Sequence, residues 1–172
     1  MKRKTISWLV VLALAAFTVT GCSQATTKVG TSPSGSEVAI EKASMKLMKD
    51  TEVGGYKLVS TEELNKWMGE KKDMIILDTM PADNFAKGRI PGALNAELPK
   101  TVLADATAEQ KSAFIKLLGT DKNKTIVVYC GFVGCARSDV GAAIAVKEGF
   151  TNVYRVPGGS VAWGEAKYTV EK

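Results

Sequence analysis

Two cysteines five positions apart lie in the stretch Cys130-Gly131-Phe132-Val133-Gly134-Cys135-Ala136-Arg137-Ser138. The apolar run Ile126-Val127-Val128-Tyr129 precedes it and the helix-like Ala142-Ala143-Ile144-Ala145-Val146 follows. A cysteine therefore ends a buried strand, and a loop with two glycines leads to a helix N-terminus. The glycines let the backbone curl, so that several N–H groups point at one anion, and the helix end adds about half a positive charge. The anion at hand is the Cys130 thiolate. A free thiol, with a pKa of about 8.5, is mostly protonated at pH 7; the nest, the helix end and Arg137 are expected to lower that value by a unit or more, each unit being about 1.4 kcal/mol. The chain has no histidine, which excludes Ser-His-Asp and Cys-His catalysis and any zinc site with imidazole ligands. A cysteine activated by its loop needs no histidine base.

The neighbours of Cys130 divide into roles. Cys135 is either a small apolar residue packing the loop or a resolving thiol that forms a disulfide with Cys130 or relays its sulfur. The second role would tie activity to an extracytoplasmic reductant. Bridging needs Cα atoms about 4.4–6.8 Å apart, which a curled loop provides and an extended one does not. Arg137 closes the loop and is expected to bind an anionic substrate, the alternative being a pair with the strand-end acid Asp78. Asp78 is expected to order loops from beneath, with Ser138 supporting the site beside it. Phe132 and Val133 stand at the loop tip as an apolar rim for substrate or partner. Gly158 and Gly159 are expected to give backbone room beside the loop, and Trp163 and Phe150 to belong to the core.

Strands and helices must alternate to hold this loop. Strand-like runs at 56–59, 74–77, 125–129 and 153–156 interleave with helical patterns at 61–69, 108–118, 138–148 and 160–165. The run at 74–77 is followed by a turn. Continuous apolar strands suit a parallel sheet with helices on both faces, an α/β three-layer fold. Ser60 or Thr61 can cap the first of these helices, and Gly119 stops the second. Ligands of such sheets bind beyond the carboxyl ends of the strands, where Cys130 lies.

The chain has 172 residues and a formal net charge of +5. Three of those charges are Lys2, Arg3 and Lys4, so the remainder is nearly neutral and has no basic stripe for a phosphate backbone; nucleic acid is not an expected partner. Behind that basic head an apolar run covers 6–19. It is shorter than the roughly 20 residues a membrane span needs and matches the hydrophobic region of a secretory signal. Val19-Thr20-Gly21-Cys22 follows and resembles a bacterial lipobox. The expected organisation is a signal peptide at 1–21, a lipidated Cys22 with a flexible tether over 22–50, and a folded domain at 51–172. Residues 37–49 have an irregular pattern compatible with a short helix, to which no function is assigned. This organisation anchors the domain in a membrane on the extracytoplasmic side.

The segment from Asp78 to Asn95, with Phe85, Gly88, Ile90-Pro91-Gly92-Ala93 and Asn95, resembles the rhodanese segment that follows a strand-end aspartate. Val127 to Cys130, Arg137-Ser138, the run Gly149 to Tyr154, and Gly158-Gly159 to Trp163 are similar to the rhodanese active-site loop and C-terminal part. The resemblance implies a rhodanese-like α/β fold. It also implies a sulfurtransferase in which Cys130 accepts a sulfane sulfur from a donor such as thiosulfate, holds it as a persulfide, and passes it to a thiophilic acceptor. No cofactor beyond that covalent sulfur is implied. Three departures stand out. Six residues separate Cys130 from Arg137 where rhodaneses usually have four; Met80 and Asn84 replace a family arginine and glutamate together; and Arg89 replaces a histidine. The other readings of the same residues are a thiol oxidoreductase using Cys130 and Cys135, and a non-catalytic binding module tethered to the surface.

Overall fold

Five strands form one parallel sheet: β1 (Lys57–Leu58), β2 (Met74–Asp78), β3 (Leu94–Asn95), β4 (Thr125–Tyr129) and β5 (Asn152–Val156), in the order β1-β5-β4-β2-β3. The structure is a computed structural model and describes residues 35–172. The signal-like run, Cys22 and the tether up to residue 34 lie outside the described residues. Side chains alternate across the central strands, as the two-residue repeat requires. Ile76, Val127 and Tyr129 face one way, onto Leu64 of α2 (Thr61–Gly69) and Trp163 of α6 (Gly159–Glu165). Leu77, Ile126 and Val128 face the other way, onto Phe114 and Leu118 of α4 (Ala108–Leu118) and Val140 and Ile144 of α5 (Arg137–Lys147). Both faces are covered, which is why these strands read as unbroken apolar runs. Phe150 and Trp163 are core residues, as expected.

Local signals set the helix ends. The Ser60 hydroxyl accepts the Glu63 N–H at 3.0 Å. Thr107 and Gln110 form a reciprocal capping box at the start of α4, and Gly119 ends it. Two elements lie where the sequence pattern gives only a turn, α3 (Ala82–Lys87) and β3. Six residues behind Pro81 and a two-residue strand are too short to show a period.

The boundary expected between residues 50 and 51 falls inside α1 (Glu37–Gly54), which packs on α5. The sequence pattern hides this helix because its large apolar residues Val38, Met45, Met48 and Val53 face outward. The inward stripe is Ala43, Leu47, Asp50, Thr51 and Gly54, a correct helical spacing in which Leu47 is the one large apolar side chain. Residues 36–172 form one unit, so the folded part begins earlier than the expected boundary.

Arg89, the residue in the histidine position, holds the C-terminus. Its backbone bridges Glu171 in antiparallel fashion, its guanidinium pairs with the Glu171 carboxylate, and the second oxygen of that carboxylate accepts the Gly92 N–H at 2.8 Å.

Helix α6 closes on the strand carrying Cys130. The Ser160 N–H donates to the Cys130 carbonyl at 2.8 Å and the Val161 N–H to that of Gly131 at 3.0 Å. Gly159 lies between them at φ +56°, and a Cβ there would sit 2.0 Å from the Cys130 carbonyl oxygen. This is the backbone room expected at this position. Gly159→Ala combines left-handed strain with a backbone collision and is expected to cost at least about 2 kcal/mol, read as a lower denaturation midpoint. An unchanged midpoint would contradict this packing.

Candidate active site

The parallel register sets Asp78, Tyr129 and Val156 level at the carboxyl edge of the sheet. Cys130 is the next residue of β4 and is fully buried. Its Sγ lies 3.1 Å from the Ser138 Oγ and 3.4 Å from the Cys135 carbonyl oxygen. The loop curls through a tight turn in which the Cys135 N–H donates to the Phe132 carbonyl at 2.9 Å. Neither Gly131 nor Gly134 lies in the left-handed region. Gly131 instead admits the Met80 side chain, whose Cε would be 3.4 Å from a Cβ at that position.

One buried arginine organises the loop from below. Arg155 of β5 is 1% exposed. Its Nε donates to the Ser138 Oγ at 2.9 Å, and its Nη2 to the Cys135 carbonyl at 3.0 Å. Its Nη1 faces the Tyr56 hydroxyl at 3.1 Å and the Asp50 carboxylate of α1 at 3.4 Å. Tyr56 in turn donates to Asp139 at 2.8 Å. The serine oxygen is occupied by an arginine N–H, so its own proton is free to point at the Cys130 sulfur. Positive charge thus reaches Cys130 through a hydroxyl. Burial opposes the charge on Arg155, but Tyr56, Cys130 and Asp139 outweigh it and hold the guanidinium above its ordinary value. Burial raises the Asp139 carboxyl and the Tyr56 hydroxyl. Sequence reasoning missed this network; its one signal was a charged residue inside the otherwise apolar strand Val153-Tyr154-Arg155-Val156.

The Cys130 sulfur lies 3.4 Å from the Cys135 carbonyl, and both thiols are free. The Cys135 thiol is lowered to about 6, first by its neighbour Cys130 and then by the Arg137 and Gly131 backbone and the charge of Arg137. Cys130 is pushed up by the neighbouring Cys135 and by burial. The expected lowering therefore falls on Cys135 and not on Cys130. Iodoacetamide at pH 7 is expected to modify Cys135 before Cys130. The labelling rate should climb as pH rises through about 6 and fall away below it, since only the thiolate reacts. A midpoint near 8.5, the ordinary thiol value, would refute the assignment.

The remaining expected residues are placed as follows. The Arg137 guanidinium donates to the Leu98 carbonyl and faces Glu97 at 3.4 Å, and so pairs with neither Asp78 nor an open anion seat. Asp78 is buried and its carboxylate accepts the Met80 N–H at 2.8 Å, while the Tyr129 hydroxyl accepts the Ile90 N–H at 3.1 Å. Asp78 orders loops from beneath, and burial raises its carboxyl. Phe132 and Val133 are exposed at the tip, Gly134 packs against the Phe132 ring, and Ala136 is buried at the start of α5. Asn84 is exposed, and with Met80 packed at Gly131 the family ion pair has no counterpart here.

The family model described as Rhodanese-like domain matches residues 60–166. A sulfurtransferase of Allochromatium vinosum is 26% identical over 105 residues, covering 61% of this chain and 85% of that protein. A tRNA uridine(34) hydroxylase of Corynebacterium urealyticum is 31% identical over 129 residues; the match covers 70% of this chain and spans 39% of the length of that protein. Among solved structures, a thiosulfate sulfurtransferase from Pseudomonas aeruginosa superposes with a TM-score of 0.58 at 17% identity, covering 75% of this chain and 22% of that one.

Proposed function

Because the chain belongs to the rhodanese-like domain family, whose members similar to it include a sulfurtransferase, we propose that it moves sulfane sulfur through a persulfide on Cys130. The observation that carries this reading is the Cys130 sulfur at the carboxyl end of β4, held 3.1 Å from a serine hydroxyl that a buried arginine polarises. In the loading step Cys130 Sγ attacks the outer sulfur of a donor such as thiosulfate and gives its proton to water. The donor's S–S bond breaks and sulfite leaves with the electron pair. A thiophilic acceptor, such as a thiol, then takes the outer sulfur and returns Cys130 to its starting state. The Ser138 hydroxyl and the loop amides stabilise the persulfide anion between the two steps.

Treatment of the reduced protein with thiosulfate or polysulfide, followed by peptide mapping, is expected to find one added sulfur on Cys130, removable by cyanide. Sulfur found on no cysteine, or only on another one, would overturn the reading. A thiol oxidoreductase is the second reading, favoured by two free thiols in one folded-back loop, with the Cys130 sulfur 3.4 Å from the Cys135 carbonyl.

The reading extends to location. The Val19-Thr20-Gly21-Cys22 stretch supports an extracytoplasmic domain held by acyl chains on Cys22, each buried methylene contributing about 0.8 kcal/mol. Cys22→Ser is expected to release the protein from the membrane fraction; unchanged partition would refute the anchor.

A further inference from the structure

We infer that Cys135 discharges the Cys130 persulfide within the loop, releasing the carried sulfur as hydrosulfide and leaving a Cys130–Cys135 disulfide, so that the protein also reduces sulfane sulfur at the expense of a dithiol. This rests on the reading that Cys130 carries the sulfur.

The geometry supplies two reasons. The turn at Phe132 to Cys135 folds the loop back, so that the Cys130 sulfur lies 3.4 Å from the Cys135 carbonyl. Both thiols are free, and one guanidinium positions both residues, Cys135 through its carbonyl and Cys130 through Ser138.

The step balances without an outside base. Loading leaves a Cys130–S–S⁻ anion beside Cys135 in its thiol form. Cys135 Sγ then bonds to Cys130 Sγ, the bond between Cys130 Sγ and the outer sulfur breaks, and the outer sulfur leaves with the electron pair. It takes the Cys135 proton and departs as HS⁻. The sulfane sulfur is reduced to sulfide and two thiol sulfurs are oxidised to a disulfide. A dithiol reductant restores both thiols by exchange and becomes a disulfide itself. Its chemistry is that of any protein or small molecule with two vicinal thiols.

The test is a single turnover with the full-length chain in detergent. The reduced protein is loaded with polysulfide, freed of excess donor by rapid gel filtration, and followed by sulfide detection and peptide mapping without added reductant. The wild type is expected to release one equivalent of sulfide and end with Cys130 linked to Cys135, two hydrogens lighter than the reduced form. Cys135→Ser is expected to keep its sulfur on Cys130, with sulfide release lost, until cyanide removes it as thiocyanate. Cys135→Ala should behave as Cys135→Ser does, which separates loss of the thiol from any effect of the new hydroxyl. A wild type that holds its persulfide as long as Cys135→Ser would overturn the inference and leave Cys130 as a carrier. Absence of sulfur on Cys130 in every protein would overturn the carrier reading and this inference together.

Discussion

A Cys130→Ser protein is expected to transfer sulfane sulfur at least about a thousandfold more slowly than the wild type while keeping its fold. Serine is close to cysteine in size, and its hydroxyl can keep the contact with Ser138, so the buried site at the end of β4 suffers little. The chemistry has no such tolerance. A serine oxygen is a poor nucleophile toward divalent sulfur and forms no stable analogue of the persulfide. Thiocyanate formation from thiosulfate and cyanide measures the loss, and a melting curve establishes that the protein is folded. Activity within about tenfold of wild type would show that sulfur travels by another residue, with Cys135 the first to examine.

Arg155→Met is expected to lower stability by about 3–5 kcal/mol, because removing the buried cation takes its hydrogen bonds from Ser138, Cys135 and Tyr56 together. Asp50 keeps its pair with Lys46, whereas the Ser138 Oγ and the Cys135 carbonyl lose the guanidinium as donor. Methionine fills much of the volume, so the effect reads as charge and hydrogen bonding more than as a cavity. Arg155→Lys retains a cation but not the fork that serves Ser138, Cys135 and Tyr56 at once. It should recover part of the stability and less of the rate of sulfur loading at Cys130. Denaturant melts check the first statement and single-turnover loading the second. A loss below about 1 kcal/mol for the methionine variant would mean that the network is not what holds the loop.

The residues that announce themselves in the sequence belong to strands long enough to show a pattern. Ile126 to Tyr129 are apolar because both faces of β4 are covered, and that run places Cys130 at the carboxyl edge without any coordinates. Cys135 was recognisable as a neighbour from its spacing alone. Its lowered pKa was not, since that depends on the backbone and charge the folded loop brings around it. Arg137 looked like the cation of the site by position in the loop, but position along a chain does not fix where a long side chain turns, and it turns to Leu98. The cation that touches the site is Arg155, twenty-five residues past Cys130 and brought under the loop by the pairing of β5 with β4. α1 showed only as an irregular helical pattern over 37–49 for a related reason. Apart from Leu47, its inward stripe is small or polar, and most of its large apolar residues face outward.

The contact between Asp50 and Arg155 bears on how this protein is to be handled. A shortened form starting at residue 51 keeps all five strands and both cysteines, and so passes for a whole domain. It lacks the body of α1 and the carboxylate that faces the arginine beneath the loop. Weak activity in such a form would report the cut and not the chemistry. A soluble version that begins ahead of Glu37 retains the helix entire, and it is the appropriate starting material for every measurement on the isolated domain.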